Sequence, residues 1–180
     1  MHRNLLINLL NNYHPADSKE IGYKARMLDF ISKHTNCFER ELLIGHITAS
    51  AFILNQDHTQ ALLLHHKKLD SWFQLGGHCD GDYDVLRVAL KEAQEESGIN
   101  EIAPVSLEIF DIDIHTIPAN SKEPEHDHYD IRFLLQVVSD EDVVVSEESH
   151  NLAWIDKNRD NLPTNERSVV RMFDKWVGIL

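Results

Sequence analysis

The chain has 180 residues, with 17 Lys and Arg against 30 Asp and Glu for a formal net charge of -13. That length fits one domain with a real hydrophobic core, and the charge opposes binding to nucleic acid or anionic membranes. Two cysteines, Cys37 and Cys79, are too few for a disulfide framework, and no apolar run approaches the roughly 18 residues of a membrane span. The N-terminus lacks the basic, apolar, small-residue order of a signal peptide, so the expected compartment is the cytoplasm. Twelve histidines are the compositional anomaly, open to use as metal ligands, phosphate donors or plain surface.

Residues 1–34 read as two helices: Leu5, Leu6, Leu9 and Leu10 share a helical face that Pro15 ends. Asp17 or Ser18 caps a second helix carrying Ile21, Met27, Leu28 and Ile31. From His46 the pattern turns to strand. Ile47–Leu54 and Gln60–His66 are short apolar runs joined by the polar turn Asn55-Gln56-Asp57-His58, and a brief third strand is expected at Trp72–Leu75. Gly76-Gly77 opens a loop into a helix from about Asp84 to Ser97, with Gly98 where a left-handed C-terminal residue belongs. Ser106–Ile117 and Tyr129–Val138 alternate as long strands do, around a polar loop with Pro118 and Pro124. An acidic loop, a strand near Leu152–Ile155 and a helix from Glu166 to Val177 complete a single α+β domain without repeats.

The helix ending Lys91-Glu92-Ala93-Gln94-Glu95-Glu96-Ser97-Gly98 carries the chemistry. At 3.6 residues per turn Glu92, Glu95 and Glu96 project from one side. Such like charges repel by a few tenths of a kcal/mol per pair, and they sit in the last turn, where the helix dipole already disfavours negative charge. A solvated acidic face is the bland account. The alternative is a nearby cation: hard oxygen ligands suit Mg²⁺ or Mn²⁺, which bridge carboxylates to substrate phosphates.

In that segment the sequence resembles the Nudix hydrolases, whose motif runs Gly, five residues, Glu, seven residues, Arg-Glu, apolar, any, Glu-Glu, any, Gly, apolar. Gly77, Glu92, Ala93, Glu95, Glu96, Gly98 and Ile99 match in register, and Trp154 in a late strand also resembles the family. The resemblance implies a Nudix-type α/β/α sandwich with a mixed sheet over residues 47–177, to which residues 1–34 add a helical extension. It implies Glu92, Glu95 and Glu96 as metal ligands, with Glu95 and Glu96 also catalytic, together with Glu147 or Glu148 from the acidic loop, of which Glu148 is preferred. Two positions depart from the motif: Tyr83 stands for its first Glu and Lys91 for its Arg. Asp82, one residue earlier, is placed to supply the acidic role toward Lys91.

The function so implied is metal-dependent hydrolysis of a phosphoanhydride in a nucleoside diphosphate linked to another group, a small-molecule nucleotide substrate, with a homodimer left open. The alternatives are a non-catalytic Nudix-like nucleotide-binding module and, because the Nudix fold also hosts isopentenyl diphosphate isomerases that use a cysteine and a histidine-bound metal, an isomerase using Cys79. Lys68, Gly77, His78, His128 and Arg132 are the expected substrate contacts. Asp111, Asp113 and His115 lie on one face of a strand, and His126, His128, Asp130 and Arg132 on one face of the next. A solvated sheet face with cross-strand pairs is the first expectation there, a substrate wall the second, and a zinc site the last, because the spacing matches no zinc signature.

Overall fold

The computed structural model describes residues 2–121, 123–145 and 149–178. Two helices come first, α1 (Asn4–Asn12) and α2 (Ser18–Lys33), and the Asp17 side chain caps α2 by accepting from the Glu20 N–H at 2.8 Å. Leu6, Leu10, Met27 and Ile31 are fully buried, and Phe30 stacks on Tyr129 with ring centroids 4.0 Å apart. The N-terminal helices therefore share one core cluster with the sheet and the helix that follows its first strands.

Eight strands follow: β1 (Gly45–Leu54), β2 (Gln60–His66), β3 (Ser71–Phe73), β4 (Leu75–His78), β5 (Ile102–Pro104), β6 (Asp111–Ile117), β7 (His126–Val137) and β8 (Ser149–Asp156). Helix α3 (Val85–Ser97) lies between β4 and β5, and α4 (Arg167–Trp176) closes the described chain. β1 is buried along its whole length and runs parallel to β7 over ten residue pairs. All other pairings are antiparallel. The sheet forks on both sides of this central pair: β1 turns from β4 to β2, and β7 from β6 to β5.

The fork explains where the expected elements were misplaced. Strand β6 starts at Asp111 rather than Ser106, because β5 and β6 share one edge of β7 and residues 105–110 must cross between them. Ser106 begins that crossing, its hydroxyl accepting from the Glu108 N–H. The expected strand at Trp72–Leu75 is divided between β3 and β4, and the three-residue β5 carries no alternation that could have revealed it.

Alternation along β1 sorts the two layers. Ile47, Ala49, Ala51 and Ile53 join the cluster that holds Val85, Val88, Ala89 and Ala93 of α3. On the opposite face Phe52 and Leu54 pack with Val169 and Met172 of α4. The result is a mixed sheet between helices, the α/β/α sandwich expected. Among the described residues no helix is long and apolar enough to cross a membrane.

Candidate active site and a buried imidazole cluster

Helix α3 is anchored at both ends. The Asp84 side chain accepts from the Arg87 N–H at 3.1 Å, and Gly98, at φ 74°, returns its N–H to the Gln94 carbonyl. The buried apolar stripe fixes its rotation, which turns Glu92 and Glu96 toward β4. Glu92 is only 17% exposed, and its carboxylate fills the space beside Gly77: a Cβ added there would stand 2.5 Å from Oε2. Glu96 accepts the Gly76 N–H through Oε2 at 2.8 Å. Glu95 is exposed, and Lys91 Nζ lies between its Oε2 at 3.3 Å and Glu92 Oε1 at 3.4 Å. Burial pushes the Glu92 carboxyl up despite the Lys91 charge, and Glu92 in turn raises the Lys91 ammonium. A desolvated carboxylate beside two more on one helix favours a cation.

The Gly77–Tyr83 loop is clipped by two arginines. Arg40 grips Asp80 with bonds of 2.5 and 2.6 Å, and Arg87 grips Asp82 with bonds of 2.6 and 2.9 Å. Asp82 therefore serves Arg87, not Lys91 as expected, because Lys91 lies beside Glu92 and Glu95 one turn further on. Tyr83, in the place of the motif's first Glu, is half exposed. These pairs are solvent-facing and individually weak, but their two-pronged geometry orients the loop.

The other expected residues are dispersed. Lys68 is exposed in the β2–β3 turn, and Glu147 and Glu148 lie outside the described residues. Cys79 is buried, which pushes its thiol up and opposes the thiolate that isomerase chemistry on it would need. Arg132 requires a correction. It is 1% exposed, and its guanidinium is enclosed by Asp111 at 3.1 Å, Asp113 at 3.7 Å and Asp130 at 2.7 Å. No face of it is left for a substrate.

That network also replaces the solvated sheet face. β6 and β7 pair as their polar patterns suggest, Asp111 opposite Arg132 and Asp113 opposite Asp130, but helices cover them. Arg171 of α4 donates to Asp111 at 2.8 and 2.9 Å and to Asp113 at 3.2 Å. Lys175 reaches Asp111 at 2.6 Å and Glu20 of α2 at 2.5 Å. Asp130 accepts from Thr48 and Ser50 of β1. Desolvation acts against ionised Asp111 and Asp113, yet both carboxyls are held below the usual range, Asp111 by Arg171 with Arg132 and Lys175, and Asp113 by its hydrogen bond with His115 and then by Arg132 and Arg171.

Further along the same face the ions give way to imidazoles. His46 stands opposite His128, His128 opposite His115, and Thr48 opposite His78. Ring centroids of His46 lie 5.1 Å from His78, 5.0 Å from His126 and 4.8 Å from His128. Since residues alternate along a strand and Gly77 faces Glu92, His78 projects away from α3. His78 and His128 are thus in this cluster rather than against the helix carboxylates. Burial first, then mutual repulsion, lowers His46 to about 4 and His128 to about 2, and burial lowers His78. Sequence reasoning missed His46, and it placed His78 and His128 among the substrate contacts without bringing them together with it.

Comparison with known proteins accords with this architecture. A NUDIX domain model matches residues 45–173. A Clostridium perfringens hydrolase of the NUDIX family superposes with TM-score 0.55 at 24% identity, covering 75% of this chain and 98% of its own. A MutT NUDIX hydrolase from Burkholderia pseudomallei gives 0.54 at 23%, covering 71% and 95%. An Ap4A hydrolase from C. elegans in a binary complex gives 0.55 at 18%, covering 73% and 96%. A search of the curated proteins finds no match. The glycine-to-glutamate register from Gly77 to Ile99, the forked sheet that supports it and a family match spanning most of its length together make this chain a member of the Nudix family.

Proposed function

We propose that the protein is a pyrophosphohydrolase that opens the phosphoanhydride of a nucleoside diphosphate linked to another group. The observation that carries this is the gathering of Glu96, bonded to the Gly76 N–H, and Glu92, packed against Gly77, with Glu95 exposed beside them and paired with Lys91. All-oxygen donors fit Mg²⁺ or Mn²⁺. The three carboxylates do not form a group with ligand atoms within 4.8 Å of one another among the described residues. That spacing suits Mg²⁺, which keeps several waters and takes one or two carboxylates plus substrate phosphates.

Bound, the ion would supply charge neutralisation of the diphosphate and electrophilic polarisation of its phosphorus. The chain's own part is positional. The Gly76 N–H fixes the Glu96 carboxylate, the absence of a side chain at Gly77 admits Glu92, and Glu95, exposed and carrying Lys91 as a counter-charge, is the carboxylate placed to orient an attacking water in line.

Glu95→Gln/Glu96→Gln protein is expected to lose at least about 100-fold in kcat with its melting temperature retained, because ligand charge goes while shape stays. The measurement is a panel of sugar nucleotides, dinucleotides, nucleoside triphosphates and capped ends with Mg²⁺. Wild-type turnover by this variant would refute the assignment, and a panel that is bound but never turned over would leave a nucleotide-binding module.

Gly77→Ala gives a finer test. The new methyl group would displace the Glu92 carboxylate, and misplacement by about 1 Å costs roughly 100-fold in rate. Unaltered kcat/KM in this variant would show that Glu92 has no part in the site.

A further inference from the structure

The imidazole cluster has no role in the reaction proposed above, and its geometry does not resemble a satisfied polar core. His46 is 2% exposed, and neither of its ring nitrogens meets a partner in full hydrogen-bond geometry, although the Leu42 backbone lies close enough to favour its protonated form. A neutral imidazole carries one N–H and one lone pair. Burying both unmatched costs about 1–3 kcal/mol for each group. Ligand nitrogens of His46, His78 and His128 all lie within 4.8 Å of one another, the only such group of three His, Cys, Asp or Glu among the described residues.

His126 adds an independent sign. Its Nδ1 is 2.9 Å from the Pro124 carbonyl, which can only accept, so Nδ1 carries the proton and Nε2 the lone pair. A ring N–H anchored on a backbone carbonyl is the usual support of a metal-binding histidine. That Nε2 lone pair points toward Nε2 of His128 at 3.3 Å. Two nitrogens bound to one zinc at about 2.0–2.1 Å with tetrahedral angles stand roughly 3.3–3.4 Å apart.

We propose that His46, His78 and His128 hold a divalent transition ion, zinc foremost, with His126 beside them to complete a four-coordinate set. Imidazole nitrogen is the donor for zinc and its neighbours, whereas Mg²⁺ and Mn²⁺ prefer the oxygens of α3. The site ties β1, β4 and β7 together on the sheet face opposite α3. The zinc reading ranked last from sequence concerned only the histidines of the β6–β7 hairpin, because ligands drawn from three strands form no local signature. The site is independent of the hydrolase reading, since its ligands share no residue with the carboxylate site.

The test is metal content and Co²⁺ spectroscopy on the full chain. Protein purified without added metal should carry zinc stoichiometrically. After chelation, Co²⁺ should restore one ion per chain with the visible absorption of a nitrogen-ligated tetrahedral ion. His78→Asn, at a partly exposed position, and His46→Asn/His128→Asn should each weaken Co²⁺ binding at least about 100-fold, more than loss of an outer-shell partner. Circular dichroism shows which variants fold, and His78→Asn keeps the test open if the double variant does not. Glu95→Gln/Glu96→Gln should leave the Co²⁺ spectrum unchanged. No stoichiometric zinc and no visible Co²⁺ band, retention of that band in His78→Asn, or its loss in the glutamate variant would each overturn the proposal. Absence of Mg²⁺-dependent turnover would count against the hydrolase alone.

Discussion

Replacing Arg132 with Met is expected to lower the unfolding free energy by about 3–5 kcal/mol, because it leaves buried carboxylates without their central counter-charge. In a chain of this length that is a fall in melting temperature of roughly 10 °C. Asp130 and Asp111 keep partial partners, Thr48 and Ser50 for the first and Arg171 and Lys175 for the second. Asp113 keeps Arg171 and His115. The loss should therefore stay below full disruption of the network. The prediction separates two accounts of one residue: a substrate-wall arginine would raise KM and leave the melting temperature in place. Thermal melts with a urea titration decide it, and a shift under about 2 °C would remove Arg132 from the role that its burial assigns.

Arg132 also shows where sequence reasoning stops. The polar alternation of β6 and β7 was legible, and so was their pairing, because a two-residue period names two faces. It does not name what covers a face. The cover here is Glu20, Arg171 and Lys175, carried by α2 and α4 at the two ends of the chain. Only tertiary packing brings them to Asp111, so a face rich in Asp and His was read as wet.

The carboxylate site was far more legible because it is local. A glycine, a helix and three glutamates at helical spacing lie within one run of residues 77–99, and the Gly98 terminus and Asp84 cap follow from backbone chemistry. Even there the counter-ions were misjudged: Asp82 turned to Arg87, five residues on, a pair that helical periodicity alone does not rank above Lys91. The histidines are the opposite case. His46 reaches His128 through the parallel β1–β7 pairing and nears His78 through the β1–β4 pairing, contacts between residues far apart in the chain for which no spacing rule exists.

Acid should destabilise the metal-free protein in a window set by those histidines. In the unfolded chain an imidazole titrates near 6.5, whereas the folded state holds His46 at about 4 and His128 at about 2. Burial is the leading cause for both, followed for His46 by His78 and His126, and for His128 by His115, His46, His78 and His126. Arg40 pushes His78 the same way, and Asp80 and Glu123 oppose it. A base whose folded value is depressed contributes full stability above pH 6.5. As pH falls below that value the unfolded state takes up protons that the folded state refuses, so each such histidine costs about 1.4 kcal/mol per pH unit. For His46 the loss from pH 6.5 to 4 is on the order of 3 kcal/mol, with a further contribution from the partly exposed His128. Set against a total stability of about 5–15 kcal/mol, this should bring the chelated protein close to unfolding near pH 4. Asp111, held ionised by Arg171 and Arg132, and Asp113, held ionised by His115 and then the same two arginines, add their own loss only below their ordinary range near pH 3.8, so the two windows are separable. Urea midpoints at pH 7.5, 6, 5 and 4.5 in the presence of chelator provide the measurement, with His46→Leu as the comparison. That variant should remove about one proton from the slope between pH 6.5 and 4.5, and a wild-type stability that stays level from pH 7.5 to 5 would mean that the cluster is open to water.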